Sequence, residues 1–321
     1  MKLQTKIPLE KQSENLIDYR SNILLIGSCF VENMGKKLDY FKFQNTQNPW
    51  GVLFHPKAIE NLVSHAINKK GYSEDDIFFH NEQWHCFDVH SKLSNVSKQD
   101  LLNDLNEGIQ LTNQQIKKAT HIVITLGTAW VYRSINTKEI VANCHKVPQK
   151  QFTKELLSVD EISKSIETIV RLIGSVNTKA SIIFTVSPVR HIKDGFIENT
   201  QSKAHLISAI HQFINQKSSI VNRQPFYFPA YEIMMDELRD YRFYKEDMIH
   251  PNGVAVSYIW NRFYEVWISS KAEKTMKEVD AVQKGLQHKP FNPNSETHQK
   301  FLQNIEAKKN RIKAQFSHIV F

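Results

Sequence analysis

Cysteine is scarce in this chain, with three residues in 321, at positions 29, 86 and 144. Thiols so few and so scattered cannot make a disulfide framework, which excludes the small secreted scaffolds and points to a reducing, cytoplasmic compartment. Long apolar runs are missing too. None approaches the roughly 20 residues that cross a bilayer, and the opening MKLQTKIPLEKQSENLIDYR lacks the apolar core of a signal peptide, so no membrane association is expected. Zinc-finger spacing and basic-aromatic RNA motifs are also absent. The formal charge of +8 suggests a polyanion partner until it is divided along the chain. Residues 271–321 hold 10 Lys/Arg against 5 Asp/Glu, which leaves only +3 for the preceding 270 residues. That pattern is a basic tail and not a basic binding face, and no nucleic-acid partner is expected.

What the chain does have is 41% hydrophobic residues, enough for a sizeable core in one large domain or two modest ones. Its central stretch is residues 22–35, NILLIGSCFVENMG. Ile23 to Ile26 form the short continuous apolar run of a strand buried on both faces. Gly27 permits a backbone that a residue with Cβ resists, and Ser28 and Cys29 then fall at the strand's C-terminal end, where a helix begins. In an open α/β sheet this is where ligands bind. Two uses of the turn stay open: a nucleophile poised for acyl transfer, or a tight strand-to-helix turn with a half-buried thiol.

Further strands are expected at 41–44, 122–126, 182–186 and 226–228. Helices are expected at 56–66, at 97–118 with Ser97 as cap, after the capping box at 158–161, at 200–216, and from Asn252 onward. Strand alternating with helix predicts a parallel sheet covered on both faces. Hairpins are expected at 77–89 and 131–141. His80, His85, Cys86 and His90 crowd the first of these, but their spacing fits no closed zinc pattern, so neither metal nor cofactor is expected. The polar loops after the strands bring Gly127 and Thr128, and Ser187 to His191 with Arg190, to one crevice. Backbone N–H groups of Thr128, Ala129 and Trp130 are candidates to hold an oxyanion there. Asn143-Cys144-His145 is placed at the rim of the crevice. Past residue 270 the chain becomes two helices broken at 289–294, with Phe301, Ile305, Ile312 and Phe316 forming a seam that packs on the domain or on another subunit. The division is therefore 1–270 and 271–321.

The second strong signal is Asp247-x-x-His250, just before a helix. A histidine acting as general base needs a carboxylate to fix its tautomer, and this spacing can bring both groups to one place. Asp247 as a turn cap beside a surface histidine is the plainer alternative.

Six motifs, GSCF at 27–30, NPWG at 48–51, LGTAW at 126–130, NCHKVP at 143–148, SPVRH at 187–191 and DELRDYRFYKEDMIHPN at 236–252, together resemble the GSCFA family, placed with the SGNH or GDSL-type esterases and lipases. The resemblance covers most of residues 20–270. It implies a three-layer α/β/α sandwich around a central parallel, flavodoxin-like sheet, followed here by a C-terminal helical extension. It also implies catalysis without metal or organic cofactor, through a nucleophile after the first strand and an Asp-x-x-His pair before the last helix. Carried over, Asp247 and His250 match that pair. Cys29 stands where the superfamily has its serine, Ser28 where it has Asp, and Ser28 is the rival nucleophile. The helix N-terminus and His250 are expected to lower the Cys29 pKa. Gly127-Thr128-Ala129 replaces a block that elsewhere offers an Asn amide, and Gly51 stands for a backbone donor beside Asn48. The expected substrate is an acyl ester or thioester of a small molecule or carbohydrate. The alternative is a binding protein that kept the fold and lost the activity.

Overall fold

The computed structural model describes residues 4–216 and 224–321. In chain order the elements are β1 (Asn22–Gly27), α1 (Phe30–Tyr40), β2 (Gln44–Gln47), α2 (Pro56–Ile67), β3 (Phe78–His80), β4 (Gln83–His85), α3 (Lys98–Lys118) and β5 (His121–Leu126). Then come β6 (Trp130–Ser134), β7 (Ile140–Val141), β8 (Phe152–Leu156), α4 (Val159–Val176), β9 (Ser181–Val186), α5 (Phe196–Asn215), β10 (Phe226–Tyr227), α6 (Ala230–Glu232), α7 (Gly253–Trp267), α8 (Ser270–Gln287) and α9 (Glu296–Gln315).

Side-chain alternation along β1 explains the layering. Leu24 and Ile26 point to one face of the sheet and join a core built with α2 to α5, through Leu62, Leu105, Ile166 and Leu206. Ile23 and Leu25 point to the other and meet Phe30 of α1, Ile259 of α7 and Val279 of α8. A strand that buries both faces can sit only in the middle of a sheet, and the order is β10-β9-β5-β1-β2, all parallel. This is a mixed α/β fold with helices on both sides.

Two of the caps, at Ser97 and Ser158, are those the sequence names. Ser97 accepts from the Asp100 amide, Ser158 and Glu161 close a capping box, and Asn252 accepts from the Val254 and Ala255 amides. Beyond α5, which opens a turn early at Phe196, two elements differ from the sequence reading. The second strand starts at Gln44, because Phe41 to Phe43 are spent ending α1: Lys42 adopts a left-handed φ of 63° and the Phe43 amide returns to Leu38 O at 2.9 Å. Phe43 is buried by stacking on Tyr19, ring centroids 4.6 Å apart. The 131–141 hairpin gains a third strand, β8, which pairs with β6; its FTKEL pattern has little apolar content to announce it. The β3–β4 hairpin lies against this small sheet, joined by the Ala142 amide donating to Phe87 O at 2.8 Å.

The C-terminal helices are packed. Ala272, Met276, Val279, Val282, Ile305 and Ile312 are buried in the second core. A buried Ile contributes roughly 2 kcal/mol, whereas an exposed ion pair such as Arg311 with Glu278, 3.1 Å, contributes about 0.5 kcal/mol. The apolar seam and not the charge fixes the tail. Among the described residues no helix is long and apolar enough to cross a membrane.

Buried neutral histidines tie the loops to the sheet. His55 caps α2 by accepting from the Ala58 amide on Nδ1 and donates Nε2 to Val141 O, 3.1 Å each; burial holds its pKa down at about 4. His145 Nε2 donates to Cys86 O at 2.7 Å, and its pKa is likewise brought to about 4 by burial. Folded-state values below the unfolded one mean that stability is complete above the unfolded pKa and is lost as pH falls from about 6.5 toward 4. The urea midpoint is expected to fall steeply across that window, each histidine losing about 1.4 kcal/mol per pH unit. A midpoint unchanged across that window would contradict this packing.

Candidate active site

At the end of β1 the chain passes its neighbour too closely for any side chain. Gly27 has φ +135°, and a Cβ there would lie 2.1 Å from Thr125 O. The turn is held from both sides. Ser28 donates its amide to Thr125 O at 3.0 Å, and Asn48 Oδ1 accepts from the Gly27 amide at 2.8 Å. Cys29 then occupies the N-cap of α1 with helical dihedrals and makes no side-chain cap bond, so its sulfur is not spent on the helix. Ser28 is fully buried, whereas Cys29 is partly exposed. The expected lowering of the Cys29 pKa does not hold. Burial pushes the thiol up, Lys203 pulls it down, and Glu32 one turn along pushes it up again. Desolvation outweighs the helix terminus here.

The loop before α7 folds on Asp247. Its Oδ1 accepts from the amides of Ile249 and His250, 2.9 Å each, and its Oδ2 accepts from His250 Nδ1 at 2.7 Å. Those bonds hold the Asp247 carboxyl down at about 2, the backbone donors first. With Nδ1 committed, Nε2 is the basic nitrogen of His250. Met248 takes a left-handed φ of 56°, and Lys245 donates its amide to His250 O at 2.8 Å, which closes the loop. The Arg190 amide reaches Ile249 O at 3.4 Å, so the loop after β9 is tied to the Asp-His loop. The Arg190 guanidinium sits over the Phe196 ring, 5.4 Å to its centroid.

The backbone amides expected to bind an oxyanion are already spent. Gly127 and Thr128 both donate to Phe54 O, at 2.7 and 3.0 Å. Ala129 donates to Ser202 Oγ at 2.7 Å, Trp130 to Thr128 Oγ1 at 3.0 Å, and Gly51 to Asn48 O at 2.8 Å. The strand-end loops satisfy one another, and that takes Gly51, Gly127 and Thr128 out of the role as backbone donors. Side-chain atoms remain in their place. Ser28 Oγ, Asn48 Nδ2 and His191 Nε2 are buried with no partner among the described residues. Two of them share one hollow: a Cβ on Gly127 would lie 3.2 Å from Ser28 Cβ and 3.4 Å from His191 Nε2. Burial and the charges of Lys203 and His250 bring the His191 pKa to about 3, so the ring is neutral at ordinary pH. Buried polar atoms usually have partners, and orphans gathered at a strand-end crevice mark the place where a ligand's polar atoms fit.

A model of the GSCFA family matches residues 22–263, and a model of the GSCFA domain protein C-terminal domain matches residues 279–321. The chain belongs to the GSCFA family. No curated protein matches it. The GSCF motif is thus the Gly27 turn itself, and NPWG supplies the Asn48 side chain that braces it.

One more expectation changes in this GSCFA domain, and one residue is added to the site. His145 packs on the β3–β4 hairpin and the segment after it, and not in the crevice: Nε2 is bonded to Cys86 O, Nδ1 lies 3.5 Å from Ser94 Oγ, and the ring lies near His85 at 4.8 Å. No ring nitrogen is left for a substrate. Lys203, which sequence reasoning missed, is fully buried beneath the crevice and donates to Gly127 O at 2.7 Å and Ser187 O at 2.8 Å. The signal was available, because Lys203 falls on the same α5 stripe as Leu206, Ile210 and Phe213, where a charge is costly. Among the described residues no three His, Cys, Asp or Glu side chains gather as a metal would need.

The three thiols differ in access. Burial raises Cys86 to about 12 and Cys144 to about 11, and Cys86 is buried outright. Limited iodoacetamide labelling of the folded protein, read by peptide mass, is expected to modify Cys29 first and Cys86 last. Preferential labelling of Cys86 would contradict the placement of Cys29 at an open crevice.

Proposed function

We propose that this GSCFA protein is an SGNH-type acyl-ester or thioester hydrolase or acyltransferase that works through an acyl-enzyme on Cys29. The observation that carries the reading is the 2.7 Å bond from His250 Nδ1 to Asp247 Oδ2, in a loop tied to the strand-end crevice. It leaves Nε2 as base for a nucleophile at the β1 turn. The sheet order supports the same family of folds: counting its own strands, it runs second, first, third, fourth, fifth, the flavodoxin-like order whose ligands sit at the strand C-termini.

In this scheme Cys29 Sγ attacks the carbonyl carbon and its proton passes to His250 Nε2. The oxyanion is met by the Cys29 amide at the start of α1 and by Asn48 Nδ2, with the Ser28 hydroxyl beside them. His250 then returns the proton to the departing alkoxide or thiolate as the tetrahedral species collapses to an acyl-thioester. Water, or an acceptor hydroxyl, loses its proton to the same nitrogen and releases the acyl group. Cys29 is preferred to Ser28 because Ser28 has no exposed surface from which to attack. The acyl donor is a short ester on a carbohydrate or small metabolite, and the free thiols suit a reducing cytoplasm.

The rival reading is a binding protein that has kept the crevice without turnover, and the raised Cys29 thiol favours it. Steady-state hydrolysis of a chromogenic acetyl ester separates the two. His250→Ala is expected to lower kcat by about a thousandfold or more while the melting temperature holds, and His250→Ala with Cys29→Ala is expected to be no worse than Cys29→Ala alone. Full activity in His250→Ala would overturn the mechanism, and activity in Cys29→Ala but not Ser28→Ala would move the nucleophile to Ser28. Wild-type protein that turns over no acyl ester would favour the binding reading.

A further inference from the structure

The acyl-transfer scheme makes no use of Lys203, yet the fold accepts a large cost to keep it. Its side chain lies on the α5 face that packs against the sheet, 1% exposed, where Leu206 and Ile210 fill the neighbouring positions of the stripe. Moving an ammonium there from water costs several kcal/mol, and two carbonyl oxygens recover only part of that. An apolar residue would pack the same position without the penalty. Those carbonyls, Gly127 O and Ser187 O, take two of its three N–H bonds and aim the nitrogen from beneath the crevice. Gly127 is also the residue against which Ser28 and His191 pack.

The groups facing this nitrogen come from three elements. Cys29 at the head of α1 is the one acidic group acting on it among the described residues. His191, in the loop after β9, is held neutral, and the Tyr231 ring of α6 lies 5.6 Å away. On the other side, Cys29 feels Glu32 from its own helix and Lys245 from the Asp-His loop, and among the charges acting on it Lys203 is foremost. We propose that Lys203 is a positioning residue for the nucleophile, a buried cation whose field favours the thiolate as the Cys29 proton leaves for His250. This rests on Cys29 being the attacking group of the preceding scheme. Lys203 keeps its proton throughout; the proton of the thiol goes to His250, and no bond to Lys203 forms or breaks. Burial brings the lysine down to about 7, and the Cys29 charge pulls it back up.

The test is the pH profile of iodoacetamide alkylation at Cys29 in wild type and Lys203→Met, read by peptide mass so that no substrate is required. Removing the cation is expected to move the inflection upward and to slow alkylation at neutral pH by about tenfold or more, with the limiting rate at high pH retained. A lysine that only supports the two carbonyls would alter melting and the limiting rate and leave the inflection in place, which would overturn the proposal. Because Lys203→Met could fail to fold, the same coupling is read from the other end by NMR titration of Lys203 in Cys29→Ala. Coupling is reciprocal, so the Lys203 midpoint is expected to fall when the thiolate is removed, and an unmoved midpoint would overturn the proposal. Loss of ester turnover with a shifted profile would sink the hydrolase reading alone. Ester turnover with an unshifted profile would sink the role of Lys203 alone.

Discussion

The site is organised by the close passage of β1 over β5. At Gly27 the two backbones approach until only a hydrogen can stand between Cα and the Thr125 carbonyl, and the chain must leave the sheet there in a glycine conformation. That exit fixes the direction of Ser28 and starts α1 at Cys29. It also places the first amide of the helix over the end of the strand. Asn48, itself left-handed at φ 38°, locks the exit by accepting the Gly27 amide. One steric contact in the middle of the sheet thus decides which atoms can line the crevice.

Hydrogen-bond accounting decides the rest. The loops after β1, β2 and β5 satisfy their own amides, above all through Phe54 O, which accepts from both Gly127 and Thr128. The unpaired polarity of the rim is carried by side chains: the amide of Asn48, the hydroxyl of Ser28 and the neutral ring of His191. Orphaned polar atoms are destabilising unless something meets them, and these gather where a substrate would. The Asp247–His250 loop is assembled separately, at the edge of α7, from its own turn bonds.

Much of this was legible in the sequence wherever local pattern and global position agree. Four continuous apolar residues before Gly27, the capping box at Ser158 and the Asp-x-x-His spacing each announce a local structure, a buried strand, a helix start and a paired loop. Three features were not legible. The release of α1 through Lys42 and Phe43 depends on Phe43 finding Tyr19, a contact made across the fold. The spent amides of Gly51, Gly127 and Thr128 depend on which carbonyl lies opposite, and no spacing rule contains that. His145 looked chemical because it sits between a cysteine and a lysine, yet its environment is the aromatic cluster of the β3–β4 hairpin. Lys203 lies between these cases: its place on an apolar stripe was visible, but that its ammonium reaches the Gly127 and Ser187 carbonyls follows only from the packing of α5 on the sheet.

In the proposed mechanism the β1 turn and the Asp-His loop work together on an acyl group through Cys29. Acid quenching of the protein during reaction with an activated acetyl ester, followed by intact-mass and peptide-mass analysis, tests it most directly. One acetyl group per chain is expected, on the peptide carrying Cys29, lost on treatment with hydroxylamine and absent from Cys29→Ala. Acetylation of Ser28 or of surface lysines, with Cys29 unmodified while ester is being consumed, would contradict it.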